Sequence, residues 1–207
     1  MLPETSNDVI MKETYSKKDM ASHPNWKVNL SSIPASIAAI SILACGGQLP
    51  TPATPDLWEA AIKGNTTEIR QLISENTEID AQEPVGGSSA LMLACIYGQT
   101  EAAKVLIKNG ASLTLKNNDG ATALHIAAFF CHKETVILLL EQGANPNAKN
   151  NSGQTPLDSI SGDWGKDVEG LYGYVIKIYD LNMSINRIKN DRPGVVNILS
   201  STQKSSR

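Results

Sequence analysis

Three glycines, Gly87, Gly120 and Gly153, stand 33 residues apart, and each opens the same short text. The copies read GSSALMLA, GATALHIA and GQTPLDSI, with Leu91, Leu124 and Leu157 recurring at the same interval. Gly110-Ala111 and Gly143-Ala144 close a second segment of the unit, LIKNGA and LLEQGA. A further copy, DLWEAAIKGNTTEIRQLISENTEIDA, lies upstream with a one-residue offset, so that Leu57 precedes Leu91 by 34. A fixed period of this length marks a stacked array. No unit buries its own apolar face, and roughly three or more are needed for stability.

Within each unit the spacing predicts two short amphipathic helices joined by a turn. Ala94, Ala127 and Ala128 give the first helix a narrow face, which lets neighbours approach closely. Val136, Leu139 and Leu140 fall on one face of the second. Composition agrees: 41% of the chain is hydrophobic and only 5% aromatic, as suits a core of stacked small helices. The glycines end helices or enter turns where positive φ is needed.

This pattern resembles the ankyrin repeat, whose hallmark G-x-T-P-L-H-x-A-A is followed by an outer helix and G-A-x-x-N. The likeness runs from Asp56 to about Ser159. The middle repeat keeps Thr122, Leu124, His125, Ala127, Ala128, Gly143, Ala144 and Asn147. The next keeps Thr155-Pro156-Leu157 and then departs, with Asp158 at the histidine position and SGDWGKDVEG following. The resemblance implies an all-α ankyrin-repeat solenoid of about four helix-turn-helix repeats, spanning 56–200. The last stretch, LYGYVIKIYDLNMSINRIKNDRPGVVNILS, reads as an elongated atypical C-terminal cap with Pro193 near the start of a final helix. Residues 201–207 are expected to be a disordered tail.

The resemblance implies a protein-binding module with no catalytic site, no cofactor and no metal. In its register, Ile96-Tyr97 and Phe129-Phe130 occupy the variable positions after the paired alanines, which face the concave groove. Apolar groove residues with aromatic content are the makings of a binding hot spot; the competing expectation is that the segment carrying Trp164, Tyr172 and Tyr174 folds back over them. The polar hairpins, Gln82-Glu83-Pro84-Val85-Gly86, Lys116-Asn117-Asn118-Asp119 and Lys149-Asn150-Asn151-Ser152, have turn chemistry. Of these, Lys116, Asn117, Asn118, Lys149, Asn150 and Asn151 are expected rim contacts.

His125, with Cys131 and His132 nearby in sequence, invites a nucleophile-and-base reading. Yet His125 falls on the family's TPLH position, where the ring ties a turn together. Cys131 and His132 fall on the inter-helix turn with nothing to orient them, so a thiol-dependent hydrolase is only a remote alternative. The same register sets Cys95 and Cys131 on adjacent inner helices, roughly 10 Å apart and beyond easy disulfide reach. Two free, largely buried thiols are expected.

Ahead of the repeats, residues 1–44 read as a signal-like or disordered segment and residues 45–55 as a proline-rich linker. The apolar stretch IPASIAAISILA ends at Ile42-Leu43-Ala44-Cys45-Gly46, which resembles a bacterial lipobox, although Leu43 is bulkier than the family favours. Initiation at Met20 would leave MASHPNWK as an ordinary basic lead-in. Cys45 is the expected lipidation site, and GGQLPTPATP an extended spacer after it. The whole reads as an exported, lipid-tethered, monomeric protein of a bacterial envelope that binds a protein partner. The alternative is an intracellular, untethered adaptor. With 18 Lys+Arg against 21 Asp+Glu and no basic stripe, nucleic acid is not an expected partner.

Overall fold

The computed structural model describes residues 55–205, all within the unit Pro34–Arg207. Among these residues the regular elements are helices, with one isolated antiparallel bridge between Gln82 and Ser89. Three helix pairs come first: α1 (Pro55–Lys63) with α2 (Thr66–Ser74), α3 (Ala90–Ile96) with α4 (Thr100–Lys108), and α5 (Ala123–Phe129) with α6 (Lys133–Glu141). Helices α1, α3 and α5 stack as an inner row, and α2, α4 and α6 as an outer one. The chain ends in α7 (Lys166–Ile178) and α8 (Ile185–Ser205). This is the expected all-α solenoid.

The core follows the repeat. Every residue of α3 is buried, and in α5 only Phe129 escapes full burial. Small side chains (Ala60, Ala94, Ala127, Ala128) let the inner helices approach, while Leu57, Leu91 and Leu124 fill the space between them. Ser89 begins α3 by accepting the Met92 amide, the usual use of serine just before a helix.

Neighbouring units are also tied by hydrogen bonds that repeat with the sequence. At the inter-helix turn, Gln99 Nε2 donates to the Ile62 carbonyl at 3.0 Å, and His132 Nε2 donates to that of Ile96 at 3.0 Å. The glycine before Gln99 must be bare. A Cβ on Gly98, whose φ is +67°, would stand 2.4 Å from the His132 ring. Cys131 holds the same turn position with φ 53°, an uncommon conformation for a residue with a side chain.

Three expectations about the C-terminal part are corrected. The third text, Thr155-Pro156-Leu157-Asp158, forms a turn over 156–160 rather than an inner helix. Asp158 closes that turn by accepting from the amide and hydroxyl of Thr155, at 2.9 and 2.8 Å. Pro193 lies well inside α8, not near its start. It is tolerated because it faces solvent, so the carbonyl it leaves unbonded can bond water, while Ile188, Val195 and Leu199 pin the other face. Finally, α8 continues through residues 201–205, so the tail expected from 201 is helical that far. Gln203 helps to hold this end, donating to the Pro146 carbonyl at 3.1 Å. At the other boundary Pro55, read above as linker, is the first helical residue, a position that proline's fixed φ suits. Segment 1–44, the linker to residue 54 and Cys45 lie outside the described residues.

Candidate protein-binding surface

The sequence points to two surfaces, the hairpin edge and the far ends of the inner helices. At the hairpin edge, three residues in one register build the turns. The Glu83 carboxylate accepts from the amides of Val85, Gly86 and Ser88, at 2.7, 2.7 and 3.1 Å. Asn117 Oδ1 accepts from Asp119 and Ala121, and Asn150 Oδ1 from Ser152 and Gln154. These are side-chain-to-backbone turns of the type that asparagine favours. Asn117 is buried by that task, which corrects its assignment as a rim contact, and Asn150 is half-buried.

The residues beside them bind one hairpin to the next. Asn118 Nδ2 donates to the Val85 carbonyl, and Asn151 Nδ2 to that of Asn118, both at 2.9 Å. Lys116 Nζ reaches the Lys149 carbonyl at 2.7 Å. Lys116, Asn118, Lys149 and Asn151 are exposed, so the structure lines them up along one solvent-facing edge. That edge was legible from the 33-residue spacing.

Of the two expectations for the inner-helix ends, the structure agrees with the folding back of the segment that carries Trp164 and Tyr172, not with an open groove. Ile96 is buried at 3% exposure and Phe130 at 5%, so neither is an exposed contact; Tyr97 and Phe129 are half-buried. Phe129 and Phe130 are covered by the C-terminal segment. The Tyr172 ring lies 4.9 Å from that of Phe129, and the Tyr172 hydroxyl donates to the Phe129 carbonyl at 2.9 Å. Tyr179 meets Phe130 edge-on at 6.1 Å. Trp164 stacks on Tyr172 at 5.5 Å and receives the charges of Lys189 and Arg192 over its ring, at 5.8 and 5.3 Å. Sequence period could not reveal this, because the covering residues lie outside the repeat.

The chemically suggestive side chains are all engaged internally. The Thr122 hydroxyl donates to His125 Nδ1 at 2.9 Å, which leaves Nε2 to donate to the Gln154 carbonyl of the next hairpin at 3.0 Å. Burial lowers the pKa of this ring, so it is held neutral. Asp158, at the matching position, accepts from Thr155 and has no donor to offer a further hairpin. His132 is fixed likewise: Nε2 donates to Ile96, and Nδ1 accepts from Arg187 at 3.1 Å. Burial, with Arg187 adding to it, lowers its pKa to about 4. Burial raises the Cys131 thiol to about 12 and also raises that of Cys95; both are free and buried, as expected. A protonated thiol beside a ring whose lone pair is already occupied has no activated nucleophile to offer.

Among the described residues, no helix is long and apolar enough to cross a membrane. Nor does any group of three or more His, Cys, Asp or Glu there suit a metal ion. Residues 57–150 match the family model for ankyrin repeats in three copies. A mouse protein, "Ankyrin repeat and SAM domain-containing protein 6", is 36% identical over 64 residues. That stretch is 31% of this chain and 7% of the mouse protein's length.

Proposed function

Since residues 57–150 are ankyrin repeats, repeats that mark a protein–protein interaction module, we propose that this chain is a non-enzymatic binder of a protein partner. In this reading it is exported and held at a membrane surface through a lipid on Cys45. The observation that carries the binding role is the hairpin edge. It presents Lys116, Asn118, Lys149 and Asn151 to solvent at one repeat interval, on turns made rigid by Asn117 and Asn150. Tyr97 and Phe129 are the apolar groove positions that keep some exposure, and they complete the proposed contact surface. A non-enzymatic role is supported by the internal engagement of His125, Cys131 and His132.

The tether rests on sequence. An apolar stretch ending in Leu43-Ala44-Cys45 and a spacer with Pro50 and Pro52 suit a lipidated cysteine holding a domain off a surface. One acyl chain binds membranes only marginally, so a stable anchor needs two or more. The full chain is expressed in a bacterial host and extracted with a phase-separating detergent. Partition into the detergent phase, with mass spectrometry giving a mature N-terminus at an acylated Cys45, is the expected result. An intact N-terminus in the aqueous phase overturns export and tethering, and leaves the untethered adaptor.

A further inference from the structure

The carbonyls of Ile62, Ile96 and Phe129 stand in one register. The first two are met by Gln99 and His132 of the following repeat, and the third by Tyr172 of α7. Helix α7 therefore takes, on the last inner helix, a bond that a further repeat would supply. Its hold is narrow. Only Tyr172 and Val175 of its 13 residues are buried. It begins at Gly165 with no side-chain cap, and Gly170 and Gly173 in its interior weaken it further. Its tie to α8 through Glu169 and Lys189 is an ion pair about half exposed on each side, which stabilises little. The chain leaves the helix at Asp180, whose φ of 48° makes a sharp turn.

Helix α8 is held differently. Ile188, Val195 and Leu199 are fully buried, and it packs along α6 as the next outer helix. Arg187 bonds His132, Arg192 bonds the Ile160 carbonyl at 2.7 Å, and Gln203 bonds Pro146. One helix is thus locked along its length while its neighbour rests on a single aromatic contact region.

We propose that α7 is a strap that opens from the repeat stack while α8 stays docked, so that the Phe129 end of the inner row, part-covered in the closed state, is fully accessible only in the released state. The consequence for a partner rests on the protein-binding reading above; the opening itself does not. Segments with few buried contacts open well below the global unfolding free energy, which is the property this strap uses. Cys131 Sγ and the Tyr172 hydroxyl both donate to the Phe129 carbonyl, at 3.9 and 2.9 Å, so release of α7 takes away one side of that thiol's cover. Cys95, fully buried in α3, which is packed between α1 and α5, is uncovered only by global unfolding.

The two cysteines therefore report the two kinds of opening. The full chain is treated with N-ethylmaleimide under native conditions, and labelling is mapped by mass spectrometry to the peptides of Cys95 and Cys131. Cys131 is expected to react at least about tenfold faster than Cys95. Tyr172→Phe, which removes one hydrogen bond and keeps the ring, raises the Cys131 rate about fivefold and leaves that of Cys95 unchanged. Amide exchange places α7 ahead of both α5 and α8. A common labelling rate for the two thiols would overturn the proposal. So would a Cys131 rate indifferent to Tyr172→Phe, or α8 amides exchanging together with α7. None of these rates depends on a partner, so failure to find one leaves them standing.

Discussion

His132 is buried as a neutral ring, and that makes acid a specific destabiliser of this fold. Its pKa falls from 6.5 to about 4 on folding, mainly because burial penalises the cation. Above pH 6.5 the ring is neutral in both states and the native fold has its full stability. As pH falls below 6.5 the unfolded chain takes up a proton that the native state refuses, so stability declines until about pH 4. One pKa unit corresponds to about 1.4 kcal/mol, which makes the loss about 3 kcal/mol over that window. The repeat itself supplies the control. Gln99 occupies the matching turn and donates to Ile62 as His132 donates to Ile96, so His132→Gln keeps the bond and removes the titration. Urea unfolding at half-unit intervals from pH 7.5 to 4 measures both proteins. Wild type minus variant should be nearly constant above pH 7, then fall by about 3 kcal/mol toward pH 4. His125 titrates in both proteins and cancels in the difference. Parallel curves would mean that His132 binds its proton equally in the two states, and the argument from burial would fail.

Phe130→Ala should cost about 3–5 kcal/mol, because the ring is buried among Phe129, His132 and Tyr179; thermal melting measures it, and a change under 1 kcal/mol would restore Phe130 to the exposed groove. Gly153→Ala should cost only the left-handed backbone penalty of about 1–2 kcal/mol, since nothing stands within 4 Å of its Cβ position. Gly98→Ala meets the His132 ring as well and should be clearly worse in the same melt. Deleting 55–83 removes Leu57, Ala60 and Ala61 from the face of α3, so the remaining fragment should aggregate; a monomeric, fully helical fragment by light scattering and circular dichroism would refute that.

The repeats were readable because their determinants are local and periodic. A glycine of positive φ, a threonine three residues before a histidine, and an alanine pair each announce a turn or a helix face wherever they recur. Asp158 announced a departure, but its meaning needed the neighbouring hairpin: His125 bridges to Gln154, and aspartate makes the local cap without the bridge. Past that point periodicity stops and tertiary packing decides. Pro193 sits inside a helix because one face of α8 is anchored by Ile188, Val195 and Leu199. Phe129 and Phe130 carry the look of groove residues, yet burial depends on what covers them, and Tyr172 and Tyr179 belong to a segment with no repeat to fix their place. Asn117 shows the converse, a polar loop residue buried because its side chain organises the turn.

The central claim is that the hairpin edge binds a protein. The wild-type chain and a Lys116→Glu/Lys149→Glu variant, matched in melting temperature, are used as paired baits against extract of the native organism, and retained proteins are quantified by mass spectrometry. Both lysines are exposed, so the variant should fold normally while its edge changes charge. A protein retained by the wild-type chain and lost by the variant is the expected result; equal retention of every protein by the two baits would contradict the claim.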